Sequence, residues 1–238
     1  MGSMHTVKSF DEDLRQLRSY ISQMGGLAEA QIMGAIEALN SRDPEMARAI
    51  VARDRAIDDL EVEAERHAVQ TIARRQPLAD DLREVISALK IAALLERIAD
   101  YAKNIAKRAT VLSQTDPVQP MVIIPEMGRT VTHMLKDVLD AYGSRDADKA
   151  RAVWERDKNV DDFYNALFRS LLTYMMENPQ KITPSTHVMF IAKNLERIGD
   201  HATNIAEIIY FNVTGTYMEA DRPKSDETAY AIVDKTAE

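Results

Sequence analysis

The sequence predicts an all-α protein built as two tandem three-helix bundles that are related by an internal repeat. Three observations lead to this fold class. Apolar residues recur at alternating steps of four and three from Phe10 onwards, which is typical of a helix with one buried stripe. Much of the first half of the chain recurs about a hundred residues later. Only 8 glycines and 8 prolines occur in 238 residues and aromatic residues make up 6%, which suits long helices better than a sheet with frequent turns.

The first helix is indicated by a stripe of apolar positions that one face of a helix would bury together. This stripe consists of Phe10, Leu14, Leu17, Ile21, Met24 and Ala28. The helix is expected to end at Ser41-Arg42-Asp43, because the following Pro44 fits the first turn of a new helix, where its missing N–H costs nothing.

Two further helices complete the first copy. The second is predicted from about Pro44 to Arg74 and ends before Gln76-Pro77. The third is predicted from about Ala79 to Val111, with its own apolar stripe. That stripe consists of Leu95, Ile98, Ala102, Ile105 and Ala109. Prolines at 117, 120 and 125 then mark a linker.

After this linker the pattern of the first copy returns. Ser41-Arg42-Asp43 matches Ser144-Arg145-Asp146 at an offset of 103, and Leu95-Glu96-Arg97-Ile98 matches Leu195-Glu196-Arg197-Ile198 at an offset of 100. Loops can absorb the difference of three residues, whereas a helix would have to rotate its face. Because short connections make neighbouring helices antiparallel, each copy is expected to be an up-down-up bundle. The predicted bounds are residues 9–116 for the first bundle, 121–218 for the second and 219–238 for a polar C-terminal tail.

Acidic residues recur in both copies at helical spacing. The second helix of each copy carries an Asp-x-x-x-Asp pair, and the third carries Glu-x-x-x-Asp followed four residues later by Asn. The candidate ligands are Asp54, Asp58, Glu96, Asp100 and Asn104 in the first copy, and Asp157, Asp161, Glu196, Asp200 and Asn204 in the second. A spacing of four places two carboxylates on one helix face with Cβ atoms about 5–6 Å apart, where they repel. A hard cation such as Mg²⁺, Mn²⁺ or Ca²⁺, or iron, would relieve that repulsion.

The acidic pairs are also compatible with roles that need no metal. A lone acidic pair on a helix is usually a solvated face, and Arg53, Arg97 and Lys103 are placed to neutralise the first set locally. Recurrence in both copies favours a functional role, but a protein-binding surface would account for the recurrence equally well. No Glu-x-x-His occurs, which argues against a ferritin-like di-iron site.

Composition excludes several classes of protein. The chain has no cysteine, so thiolate chemistry and disulfides are excluded, which suits a cytoplasmic protein. No apolar run approaches the roughly 20 residues needed to span a bilayer. A net charge of −8 argues against nucleic-acid binding.

The recurring motifs resemble the signature of the PhoU family. The resemblance is carried by Arg75-Gln76-Pro77 through Asp81-Leu82-Arg83, by Leu95 to Asp100 and by Leu195 to Glu207, and it extends over nearly the whole chain from Phe10 to Gly215. It implies two similar three-helix bundles whose acidic motifs bind metal clusters, with the ten candidate ligands named above and with Mg, Mn, Fe, Ca or Zn as the metal. Ala99 replaces a glycine that the motif usually has and that Gly199 retains, and the second copy has Asn178-Pro179 in place of the Arg-Gln-Pro element. The two sites are therefore expected to differ in affinity.

The resemblance also implies a function without enzymatic activity. Proteins of this family are negative regulators of phosphate uptake and of the phosphate-starvation regulon, acting between the ATPase subunit of the phosphate ABC transporter and the PhoR sensor histidine kinase. We therefore expect a cytoplasmic adaptor, peripheral to the inner membrane at most, and a homodimer. The alternatives are a metalloenzyme that uses the carboxylate clusters, for which no general base or nucleophile stands in a recognisable motif, and a purely structural helical bundle.

Overall fold

The computed structural model describes the backbone of residues 2–218 and the side chains of residues 10–218. Helices account for nearly all of this part of the chain, and no strand occurs in it. The elements are α1 Gly2–Ser41, α2 Pro44–Arg53, α3 Arg55–Arg75, α4 Ala79–Leu112, a 3₁₀ turn Gln119–Ile123, α5 Ile124–Ser144, α6 Ala147–Glu177, a 3₁₀ turn Pro179–Lys181 and α7 Ile182–Thr214. The predicted all-α class is confirmed, and the predicted tail 219–238 lies outside the described residues.

The helix that was predicted to run unbroken from Pro44 to Arg74 is interrupted at Asp54. The N–H of Ile57 donates to the carbonyl of Asp54 at 2.9 Å, three residues back, so the ladder tightens locally between α2 and α3. Asp54 keeps helical dihedral angles of −55° and −40°, and α3 therefore continues the course of α2. The interruption places a candidate ligand at a joint in the helix.

The repeated Ser-Arg-Asp segments form the same loop in both copies. Arg42 and Arg145 have φ angles of 57° and 55°, which ends the preceding helix in the left-handed region. The following aspartates then cap the next helix: Asp43 Oδ1 accepts from the N–H of Glu45 at 2.9 Å, and Asp146 Oδ1 accepts from the N–H of Lys149 at 2.9 Å. Local hydrogen bonding therefore accounts for the recurrence of this tripeptide.

The apolar stripes predicted for the first and third helices lie in the core. All but Phe10, which is half-buried, are buried: Leu14, Leu17, Ile21, Met24 and Ala28 on α1, and Leu95, Ile98, Ala102, Ile105 and Ala109 on α4. Helices α4 and α7 pack against each other as well as within their own copies. One continuous core therefore runs through both bundles.

Helices α1 and α5 approach closely at two reciprocal contacts. A Cβ atom added at Gly25 would lie 2.4 Å from Leu139 Cδ1, and one added at Gly128 would lie 2.9 Å from Ile36 Cγ1. Gly25 and Gly128 are 103 residues apart, and so are Ile36 and Leu139, so the internal two-fold relation makes the same contact twice. The missing side chains are what permit this spacing.

Replacing Gly25 with leucine is expected to destabilise the protein by about 1–3 kcal/mol, because the new side chain would displace Leu139 and separate α1 from α5. Gly26 provides the matched control, since nothing lies within 4 Å of a Cβ added there. Gly26→Leu should stabilise the helix by about 0.5–1 kcal/mol. Urea unfolding of the variants measures both effects, and equal stabilities of Gly25→Leu and Gly26→Leu would contradict the proposed contact.

A buried carboxylate also joins the two copies. Glu84 on α4, whose side chain is 7% exposed, accepts from Arg18 Nε on α1 at 2.7 Å and from Arg145 Nη1 of the second copy at 2.6 Å. Because each carboxylate oxygen has its own guanidinium partner, the charge is compensated in place. This bridge fixes the N-terminal end of α4 against the loop between α5 and α6.

Among the helices of residues 2–218, none combines the length and the hydrophobicity that spanning a bilayer requires.

Candidate functional site

The first acidic cluster lies where the joint between α2 and α3 meets α4. Lys103 on α4 extends its ammonium group between the two helices and donates to Asp54 Oδ2 and, at 2.5 Å, to Asp100 Oδ1. The side chain of Asp54 is 8% exposed, that of Lys103 22% and that of Asp100 31%. The two aspartates of different helices are therefore held together by a lysine.

The remaining carboxylates of this cluster are crowded by negative charge. Burial, together with the charges of Asp100 and Glu61, raises the pKa of Glu96 to about 7. Desolvation and the charge of Asp54 raise the pKa of Asp58, which points towards solvent. Each shift means that the ionised form costs free energy in the folded chain, so Lys103 does not fully compensate the cluster.

Lys103 itself is held strongly in its charged form. Burial alone would favour the neutral amine, but the hydrogen bonds to Asp100 and Asp54 outweigh it and raise the pKa of Lys103 above its ordinary value. Of the three residues that the sequence offered as neutralising charges, Lys103 bridges the cluster. Arg97 Nε lies 3.7 Å from Glu96 Oε2 and is largely exposed, and Arg53 is exposed on the surface of α2.

The second acidic cluster lies between α6 and α7 and is more deeply buried. Asp157, Asp161 and Glu196 are 1%, 3% and 5% exposed, whereas Asp200 is half-buried. A Cβ atom added at Gly199 would lie 3.3 Å from Asp157 Oδ1, so this glycine lets α7 approach the carboxylate closely. In the first copy the buried Ala99 occupies the corresponding position. The two clusters thus differ in both burial and packing.

The candidate ligand atoms are chemically suited to hard metal ions. Every candidate donor is an oxygen atom, and Asn104 and Asn204 are half-buried one turn beyond Asp100 and Asp200. As the side chains stand, however, no group of three or more aspartate, glutamate or histidine residues within positions 10–218 is arranged to hold a metal ion. Binding would therefore require several carboxylates to turn towards one point.

The structure adds residues that the acidic motifs did not include. Glu61 acts on Glu96, and it follows Asp58 by three residues on α3, so a count of all acidic residues on that face would have found it. Lys193 Nζ donates to Glu196 Oε1 at 2.8 Å in the second copy. No sequence motif singles out this lysine, because Ala93 occupies the corresponding place in the first copy.

The two clusters are connected across the α4–α7 interface. Tyr101 and His201 follow Asp100 and Asp200 and correspond to each other in the repeat. Their rings stack with centroids 5.4 Å apart and planes 11° from parallel. The stack therefore lies on the internal two-fold relation, directly beside both candidate sites.

Comparison with known proteins gives one consistent family. The family model described as PhoU domain matches the chain twice, over residues 21–109 and 124–209. A protein of Zymomonas mobilis named phosphate-specific transport system accessory protein PhoU homolog is 56% identical over 214 residues, covering 90% of either chain. A Caulobacter vibrioides protein of the same name is 52% identical over 223 residues, which are 93% of this chain and 97% of that protein.

Solved structures agree with this result. The crystal structure of PhoU from Pseudomonas aeruginosa superposes with a TM-score of 0.84 at 40% sequence identity and covers 87% of this chain and 100% of its own. The phosphate transport system regulatory protein PhoU from Streptococcus pneumoniae superposes with a TM-score of 0.82 at 30% identity, covering 89% of this chain and 100% of its own. Both superpositions extend over the two helical copies.

Proposed function

The chain belongs to the PhoU family, and on this basis we propose that it is a negative regulator of phosphate uptake and of the phosphate-starvation regulon. The observation that carries the proposal is the 56% identity to a phosphate-specific transport system accessory protein along 90% of both chains. The family consists of regulatory accessory proteins, and the chain is accordingly a phosphate transport accessory protein and not an enzyme.

We further propose how this role is carried out. The chain is a cytoplasmic adaptor that contacts the ATPase subunit of the phosphate ABC transporter and a PhoR-type histidine kinase. The two related helical copies offer two similar faces, which suits a protein that must meet two partners. The net charge of −8 favours basic partner surfaces, and such contacts weaken as salt screens them.

Metal binding is the second part of the proposal. Asp54, Asp58, Glu96 and Asp100 would hold a divalent cation in the first copy, and Asp157, Asp161, Glu196 and Asp200 would do so in the second. Support comes from burial and the crowding of carboxylates, which together raise the pKa of Glu96 and Asp58, since an added positive charge would favour their ionised forms. A cation held in this way would stabilise the contact between the second and third helices of each copy.

Deleting the gene in the source organism is expected to raise phosphate-starvation transcripts even when phosphate is abundant, because the proposed inhibitory contact is lost. RNA sequencing of the deletion strain in high phosphate measures this, with a strain complemented by the wild-type gene as the control. In pull-downs from the same strains, the purified chain should retain the transporter ATPase or the kinase more efficiently at low ionic strength than at high. A regulon that stays repressed in the deletion strain, with neither protein retained at any salt concentration, would rule out the proposal.

A further inference from the structure

An ammonium group of the chain itself lies inside the first acidic cluster. Lys103 Nζ donates to Asp100 Oδ1 at 2.5 Å on its own helix and to Asp54 Oδ2 on the neighbouring one. Its side chain is 22% exposed and that of Asp54 is 8% exposed, so the bridge is largely shielded from water. Removing the charge of Lys103 from this partly buried bridge would leave the carboxylates of Asp54 and Asp100 uncompensated.

We propose that Lys103 is the resident counter-ion of the first cluster, and that a divalent cation is held by Asp54 and Asp100 only when this ammonium group has left. A metal ion needs the same carboxylate oxygens at about 2.0–2.6 Å. The ammonium group occupies the space between those oxygens, so the two cations exclude each other. This inference rests on the proposed metal binding and specifies what a metal must displace in the first copy.

The two copies have different residues at the position of Lys103. Thr203 corresponds to Lys103 in the repeat, and its buried hydroxyl donates to the carbonyl of Asp200 at 2.7 Å within α7. In the second cluster Lys193 pairs with Glu196, three residues along the same helix, which is a different place from that of Lys103. A divalent cation would therefore meet a different competitor in each copy.

The location of the bridge gives the exchange a structural consequence. Asp54 is the residue at which the helix breaks between α2 and α3, and Lys103 joins that joint to the C-terminal part of α4. When a divalent ion replaces the ammonium group, the joint is no longer linked to α4 through the side chain of Lys103 but through the ion. The first copy is thus the place where metal supply would alter the packing of the second helix on the third.

The test compares three proteins that all carry Asp200→Asn, so that binding is limited to the first copy. They are the otherwise unchanged chain, Lys103→Thr and Lys107→Thr. Lys107 is an exposed lysine one turn further along α4, so its replacement removes the same charge from the same helix without touching the bridge. After treatment with chelator, Mn²⁺ is titrated into each protein and followed by calorimetry. Lys103→Thr is expected to bind Mn²⁺ at least about tenfold more tightly than the unchanged chain, and Lys107→Thr within about twofold of it.

A second measurement separates a counter-ion from a merely structural side chain. Without metal, Lys103→Thr should melt at a lower temperature than the Lys107→Thr control, and Mn²⁺ should restore the difference. Loss of stability that Mn²⁺ leaves unchanged would overturn the inference. If Lys103→Thr unfolds outright, Lys103→Met keeps the apolar stem without the charge and takes its place in both measurements.

The outcomes also separate this inference from the proposed metal binding. If the chain with Asp200 intact binds Mn²⁺ but Lys103→Thr binds it no more tightly than Lys107→Thr, the role of Lys103 is wrong and metal binding stands. If none of the proteins binds Mn²⁺, with Asp200 intact or replaced, both are wrong.

Discussion

Replacing Arg18 and Arg145 together with alanine is expected to destabilise the protein by about 3–5 kcal/mol, because Glu84 would remain buried without a compensating charge. In the folded chain each of its oxygens accepts a hydrogen bond from one of these arginines. The arginines themselves are about 40% exposed, so the cost arises from the glutamate and not from the guanidinium groups. Denaturant unfolding monitored by circular dichroism measures the change in the free energy of unfolding.

Two controls make this expectation specific. Replacing the exposed Arg48, whose partner Glu45 lies three residues away on the same helix, should leave the free energy of unfolding nearly unchanged. Adding Glu84→Met to the double arginine variant should recover most of the loss, because an apolar side chain needs no counter-charge in that place. A triple variant as unstable as the double one would show that the arginines act through something other than Glu84.

The bridge through Glu84 also shows where sequence reasoning ends. Periodicity identified the buried stripes of α1 and α4, and the Ser-Arg-Asp repeat located two helix starts, because both depend on residues close together in the chain. The contact of Glu84 with Arg145 joins residues 61 positions apart in different copies. It depends on how far each helix turns about its own axis, which no local pattern specifies. No sequence pattern therefore distinguishes Glu84 from an ordinary surface residue of a helix.

The candidate site was predictable to a similar extent. The spacing of the acidic residues predicted that Asp54 and Asp58 would share a face of one helix and that Glu96 and Asp100 would share a face of the next. The sequence also indicated Lys103 as one of three residues placed to neutralise these carboxylates. Which of the three reaches between the helices depends on side-chain conformation, and it is the ammonium group of Lys103 that contacts Asp54. The break at Asp54 was missed because its dihedral angles stay helical and no proline or glycine marks it. Comparing the copies at position 103, lysine against threonine, is a further signal that sets Lys103 apart from the other two.

From the proposed metal binding we expect the chain to carry metal when it is purified and to lose stability when that metal is removed. Ionised carboxylates that crowd each other repel, so a cation that binds only the folded state stabilises it by mass action, by about 2.7 kcal/mol at a hundredfold excess over its dissociation constant. Burial, together with the neighbouring carboxylates, raises the pKa of Glu96 and Asp58, so a bound cation would offset the cost of ionising them. Elemental analysis after purification without chelator, followed by thermal unfolding with and without chelator, measures the two effects.

The variants Asp100→Asn and Asp200→Asn assign the metal to its copies, because each removes one negative charge from one cluster while keeping the size of the side chain. Metal content should fall in each variant, and the chelator should lower the melting temperature of either variant less than that of the wild type. Asp140→Asn is the matched control, since this aspartate lies on the exposed face of α5 and pairs only with Lys149 among the described contacts. Metal content that is the same in all four proteins, or a melting temperature that the chelator leaves unchanged in the wild type, would exclude the acidic clusters as metal sites. In that case the recurrence of the acidic motifs would point to a protein-binding surface, the role that spacing alone leaves open.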